Sequence, residues 1–88
     1  MNIIKEFNEL TDVLKQQRDE IEVQIHLAAL EVKDEWQNSE KKWGEFIETL
    51  GVITDDTKET SSELIQATKI IGDELKETYN RISERLRK

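Results

Sequence analysis

His26 is the only histidine in the chain, and it stands among Ile25, Leu27 and Ala28. An imidazole ordinarily titrates near neutrality, so it could serve as a base, a metal ligand or a pH switch. Its surroundings give it little to work with. No serine or cysteine nucleophile stands out beside it, and the Glu-x-x-His spacing of di-iron bundles fails because Val23 occupies the position where a glutamate is needed. A zinc site shared across a dimer would need Glu22 or Glu31 as further ligands, and nothing else in the pattern supports one. The carboxylates at Asp19, Glu20 and Glu22, and at Asp34 and Glu35, could be read as acid and base partners. That work needs a pocket that shifts a pKa, which a thin helical bundle does not offer, and a solvated helix face explains them better. The sequence therefore points to no catalytic, cofactor-binding or metal-ligating residue, and to a protein that is not an enzyme.

Trp36 and Trp43 are the other conspicuous side chains. Seven residues apart, they lie two helical turns from each other on one face. Indole rings bury large areas and are enriched at interfaces, so both are read as core or interface anchors. Insertion into a membrane surface is the rival role, as in an apolipoprotein-like lipid-binding protein. An interfacial helix usually opposes its apolar face with lysine and arginine, whereas this polar face is mainly acidic, with only Lys33, Lys41 and Lys42 to fit.

The elements that must position these residues follow from periodicity. Ile21, Ile25, Ala28, Val32, Trp36, Trp43, Phe46 and Leu50 recur at steps of three, four or seven, one stripe of a long helix. Upstream, Asn2 is a cap candidate, and Ile3, Phe7, Leu10 and Leu14 carry the same stripe until the polar residues Gln17 and Arg18 interrupt it. Val23, Leu27 and Leu30 form a second apolar row that one partner helix cannot cover. Gln37, Asn38 and Ser39 are weak helix formers where the helix could break.

Residues 51–63, GVITDDTKETSSE, are the clearest breakpoint. Gly51 suits a left-handed C-cap, and Asp56 to Glu59 and Thr60 to Glu63 both have capping-box spacing. With no proline, an unbroken helix is the competing reading. A second stripe follows at Leu64, Ala67 or Thr68, Ile71, Leu75, Tyr79, Ile82 and Leu86, and the basic tail from Arg81 to Lys88 complements the helix dipole.

These elements predict one all-α domain over residues 1–88, with helix 1 at about 2–50, a turn at about 51–56 and helix 2 at about 57–87. A long antiparallel hairpin of this kind sets Trp36 against Ile71 and Ile21 against Leu86. It leaves about 30 Å of the first helix without cover. Burial of Ile3, Phe7, Leu10 and Leu14 at about 1.5 to 3 kcal/mol each, together with the second row at Val23, Leu27 and Leu30, then favours a homodimer of hairpins, a four-helix bundle. The expected interface is Phe7, Leu10, Leu14, Val23, Leu27, Leu30, Trp36 and Trp43. A bend at Gln17 to Asp19, giving a three-helix monomer, is the alternative.

Composition bounds the partners. With 88 residues, a formal net charge of −7, 38% charged residues, no proline and no cysteine, the chain matches a helical or coiled-coil domain and gives no reason to expect disulfides. Nucleic acid is excluded as a partner by the acidic field, most of which lies in the first half: residues 1–53 carry six basic and twelve acidic side chains. The start MNIIKEFNEL interrupts any signal-like apolar run with acidic residues, so a soluble, cytoplasmic protein is expected.

The segment LKQQRDEIEVQIHLAALEVKDEWQNSEKKW, residues 14–43, with its QRDE, VQIHLA and KDEW elements, resembles small bacterial helical proteins of unknown function. The resemblance covers about a third of the chain. It implies a small soluble helical or coiled-coil protein and carries over no functional residue. The functional expectation is a non-enzymatic module for oligomerisation or protein interaction.

Overall fold

The computed structural model describes residues 3–55 and 61–87. Helix α1 spans Ile3–Gln24, α2 spans Leu30–Asp55 and α3 spans Ser62–Arg87, with a single 3₁₀ turn at Ile25–Leu27 between the first two. The described residues hold no strand, so the chain is all-α.

The expected first helix of residues 2–50 is folded in two. At Ala28 the backbone leaves the helical region, with φ −81° and ψ 158°, and the Ala29 carbonyl then accepts the first bonds of α2 from Val32 and Lys33 at 3.0 and 3.1 Å. The reason is energetic. Folding back buries Phe7, Leu14 and Ile21 against the other helices. At about 1.5 to 3 kcal/mol each, these outweigh an uncapped helix end worth about 1 kcal/mol. The bend lies at Ile25–Ala29 and not at Gln17 to Asp19, which stay helical, as do Gln37 to Ser39. Ser39 is buried there and donates to the Trp36 carbonyl at 2.6 Å.

The second reversal also falls later than expected. Residues 51–55 remain in α2, and no glycine has a positive φ, so Gly51 is an interior residue and not a C-cap. Buried Leu50 and Ile53 hold this last stretch on the core. The Ser61 hydroxyl accepts from the Leu64 backbone N–H at 3.2 Å, capping α3 five residues past the expected start at 57. The proposed Asp56 to Glu59 box and Thr60 lie outside the described residues. Because α2 is longer, the α2–α3 register shifts by two turns: Trp36 lies against Tyr79, centroids 6.1 Å apart, and not against Ile71.

The three helices run up, down and up. Lys42 Nζ meets Glu74 at 2.7 Å and Glu35 meets Arg81 at 2.6 Å, an antiparallel pairing of α2 with α3. Gln17 Nε2 donates to Asn80 Oδ1 at 2.7 Å while Leu10 sits at Gly72, so α1 runs parallel to α3. The product is a rod of 45 × 19 × 16 Å. Its core comprises Phe7, Leu14 and Ile21 from α1, Val32, Phe46, Leu50 and Ile53 from α2, and Leu75, Tyr79 and Ile82 from α3. Phe7, Leu10 and Leu14 of the α1 stripe thus find cover within the chain, which removes one of the two grounds for a four-helix bundle of two hairpins, while the row at Val23, Leu27 and Leu30 stays exposed.

The polar interruption at Gln17 and Arg18 acquires a purpose in this packing. Gln17 ties α1 to α3 through Asn80. Arg18 ties α1 to α2 by a two-pronged pair, Nε and Nη2 to the two Glu40 carboxylate oxygens, both at 2.8 Å, with its guanidinium 5.6 Å from the Trp43 ring. Bidentate geometry of this kind adds directional specificity as well as energy. One polar turn therefore sets the rotation of α1 against both neighbours.

Candidate interaction surface

The eight residues the sequence marks for an interface divide into two groups. Phe7 and Leu14 are core, and Leu10, Trp36 and Trp43 are partly buried against it. These five build the bundle. Val23, Leu27 and Leu30 are the remainder, 72, 79 and 73% exposed. They gather at one corner of the rod, where α1 ends, the 3₁₀ turn passes and α2 begins. Local folding explains the placement. Val23 sits on the face of α1 opposite Ile21, while the reversal turns Leu27 and Leu30 to the outside of the bend.

Beside Leu27 lies a hollow of about 240 Å³, lined by Leu27, Ala28, Ala29, Val32 and Leu86 together with Gln24 and Arg85. A smaller one of about 70 Å³ lies between Ile21 and Leu86, edged by Glu20 and Arg87. Knob and hollow thus occupy the same corner. Charge of both signs frames it: exposed Glu20, Glu22 and Glu31 from the first two helices, and Arg85 and Arg87 from the last turns of α3. Most large apolar side chains elsewhere are covered, with Val13, Ile47, Val52 and Ile70 showing on other faces.

The residues that could do chemistry are scattered. His26 is exposed on the 3₁₀ turn, and the described residues contain no group of three histidine, aspartate or glutamate side chains able to hold a metal. Asp19, Glu20, Glu22 and Asp34 are exposed, whereas Glu35 is engaged by Arg81 at 2.6 Å and Arg85 at 3.2 Å. That fork was invisible to local reading, although Arg81 and Arg85, four apart on one helix, offered a signal for it. Sequence reasoning also missed the Arg18–Glu40 clamp. Hydrogen bonding to Glu40 raises the Arg18 pKa above its already high ordinary value, with burial opposing and the Glu40 charge adding to the rise.

Tyr79 is fully buried, and its hydroxyl has no hydrogen-bond partner among the described residues. Burial pushes its phenol well up, with the Glu40 charge adding and Arg18 opposing. A phenol held protonated this firmly is no base at neutral pH. Its expense is structural, because an unpaired buried hydroxyl costs about 1 to 3 kcal/mol. Tyr79→Phe is therefore expected to leave stability unchanged or raise it by about 1 kcal/mol, measured by urea denaturation. The linkage sign agrees. The folded pKa lies above the unfolded one, so the neutral phenol favours the fold at low pH, and stability falls as pH rises past about 10. This is the only tyrosine, so tyrosinate absorbance reports it directly, and the phenylalanine variant should lose that part of the alkaline decline.

No described helix is long and apolar enough to cross a membrane. No family model matches the chain, and comparison with curated proteins and with solved structures likewise finds no match.

Proposed function

We propose that this protein is a non-enzymatic helical module for oligomerisation and protein interaction, with the corner at Val23, Leu27 and Leu30 as its working surface and a second copy of the chain as its simplest partner. The observation that carries the reading is the exposure of these three large apolar side chains, 72, 79 and 73%, within eight residues of one corner. Exposed apolar groups gathered in this way mark interaction sites more often than isolated ones do. A two-fold contact places the same patch on both subunits, so it must be self-complementary. This corner offers that in its flanks of both charges, exposed Glu20, Glu22 and Glu31 against Arg85 and Arg87, with a hollow beside the Leu27 knob to receive a side chain. The setting proposed is the cytoplasm, in keeping with the charge-rich composition and with the bacterial helical proteins that residues 14–43 resemble. A lipid surface is less well served, since Glu20, Glu22 and Glu31 would face an anionic bilayer with like charge.

Leu27→Glu tests the reading. Its side chain is 79% exposed, so the variant should keep the helicity and thermal transition of the parent. Light scattering after size exclusion at matched micromolar concentrations should show the parent associating rapidly on concentration and the variant lacking that rapid association. A parent that is already monomeric, or a variant that associates equally well, counts against the corner as a self-association surface.

A further inference from the structure

The helix breaks at Ile25–Ala29, but the register does not. Across the corner the inward residues are Ile21, Ile25, Ala28 and Val32, at steps of four, three and four. Those are the same steps that run on through Trp36, Ser39, Trp43 and Phe46 in α2. A loop that truly interrupts a helix generally shifts its phase, and here a straight helix would place every core residue of α1 and α2 on one face. The corner also lacks stop signals. Leu27, Ala28, Ala29, Leu30 and Glu31 are nearly all strong helix formers, with no glycine, proline or capping side chain among them. The 3₁₀ turn has no side-chain cap, and Ala29, a poor N-cap, heads α2. Ala28 is the residue whose extended backbone makes the turn. Local preference thus opposes the bend, and contacts between distant residues impose it.

Those contacts can be satisfied a second way. Arg18 and Glu40 stand equally far, eleven residues, before and after Ala29. If the corner straightens, α1 and α2 become one helix, and two such helices lie antiparallel about a two-fold axis near Ala29. Arg18 of each copy then reaches Glu40 of the other, Gln17 reaches Asn80, and Leu10 reaches Gly72. The contacts of α1 with α2 and α3 are remade across the two copies, those with the 3₁₀ turn are given up, and the uncapped ends disappear. Short hinges whose opening costs few contacts are the usual route to such exchange.

We propose that the protein forms a helix-exchanged dimer with a second copy of its own chain, in which α1 leaves its bundle and completes the other. This association goes beyond corner docking and needs none of Val23, Leu27 or Leu30. It proceeds through opening and is slow, whereas docking of closed chains is fast.

The chain has no native cysteine, so Glu9→Cys and Glu48→Cys, both at exposed positions, accept a pair of spin labels. In the closed bundle these sites lie level on neighbouring helices, under about 30 Å apart including the labels. In the straightened chain they are separated by about 58 Å at 1.5 Å per residue. Labelled chains are mixed with a large excess of unlabelled chains, unfolded, and refolded together at increasing concentration, with mass followed by light scattering. The expected result is a dimer fraction carrying the distance near 58 Å. Ala29→Asp, which adds a cap to the broken form, should favour that form about fivefold per chain and so raise the dimer dissociation constant about 25-fold. A dimer showing only the short distance overturns helix exchange while leaving corner docking standing. Absence of any dimer up to millimolar concentration overturns both forms of self-association.

Discussion

Leu14→Ala is expected to destabilise the protein by about 2 to 5 kcal/mol, seen as a lower urea midpoint at unchanged slope. Leu14 is entirely buried, one of the three α1 residues in the core. Truncation removes its transfer free energy and leaves a cavity between helices already fixed by the Gln17–Asn80 and Arg18–Glu40 ties. In a small domain holding about 5 to 15 kcal/mol in total, such a loss takes much of the margin. The measurement separates two architectures. Were α1 a projecting half of one long helix, Leu14 would be a surface residue, and the change would cost no more than about 0.5 kcal/mol. A small effect at low protein concentration would therefore count directly against the closed bundle.

Gly72→Val should be the second large effect, costing about 1 to 3 kcal/mol. A Cβ at Gly72 would lie 2.7 Å from Leu10 Cδ2 and 3.0 Å from Phe46 Cε1. Leu10 is only partly buried and can turn aside, but Phe46 is fully enclosed, and valine brings two further methyl groups into the same space. At this glycine side chains of both α1 and α2 reach α3. Gly44 provides the comparison, since nothing lies within 4 Å of a Cβ there and it is exposed inside α2. Gly44→Ala should stabilise by about 1 kcal/mol through helix propensity alone. Opposite signs at two helical glycines, read from thermal or urea transitions, would establish that space and not backbone freedom governs Gly72.

Periodicity carried much of the fold. The stripes at Phe7 and Leu14, at Val32 and Phe46, and at Leu75, Tyr79 and Ile82 are local patterns, and all enter the core. The corner was illegible for a specific reason. Ala28 and Ala29 favour helix and preserve the register, so only burial of α1 against α3, between residues more than sixty apart in sequence, makes the chain turn there. Tertiary contacts overrode local propensity. The reverse error occurred at Gly51, where a residue suited to a cap was tolerated inside α2 because Leu50 and Ile53 hold that turn on the core.

The interaction surface was partly legible on the same grounds. Val23, Leu27 and Leu30 formed a second row that no single helix could cover, and they are exposed. Phe7 and Leu14 also lacked an expected cover, but the cover turned out to be the chain itself. Arg18 with Glu40, and Glu35 with Arg81 and Arg85, join side chains 22 and 46 to 50 positions apart, and helical spacing alone names no such pairs.

The return of α1 onto the other two helices is the claim from which the rest follows, including which apolar residues remain to meet a partner. Small-angle X-ray scattering on the dilute monomer peak tests it most directly. The closed bundle has a Cα radius of gyration of 14.1 Å and a long dimension of 45 Å, and the scattering should match these apart from side chains and hydration. A maximum dimension of about 75 Å, the length of one helix from residue 2 to residue 50, would contradict it.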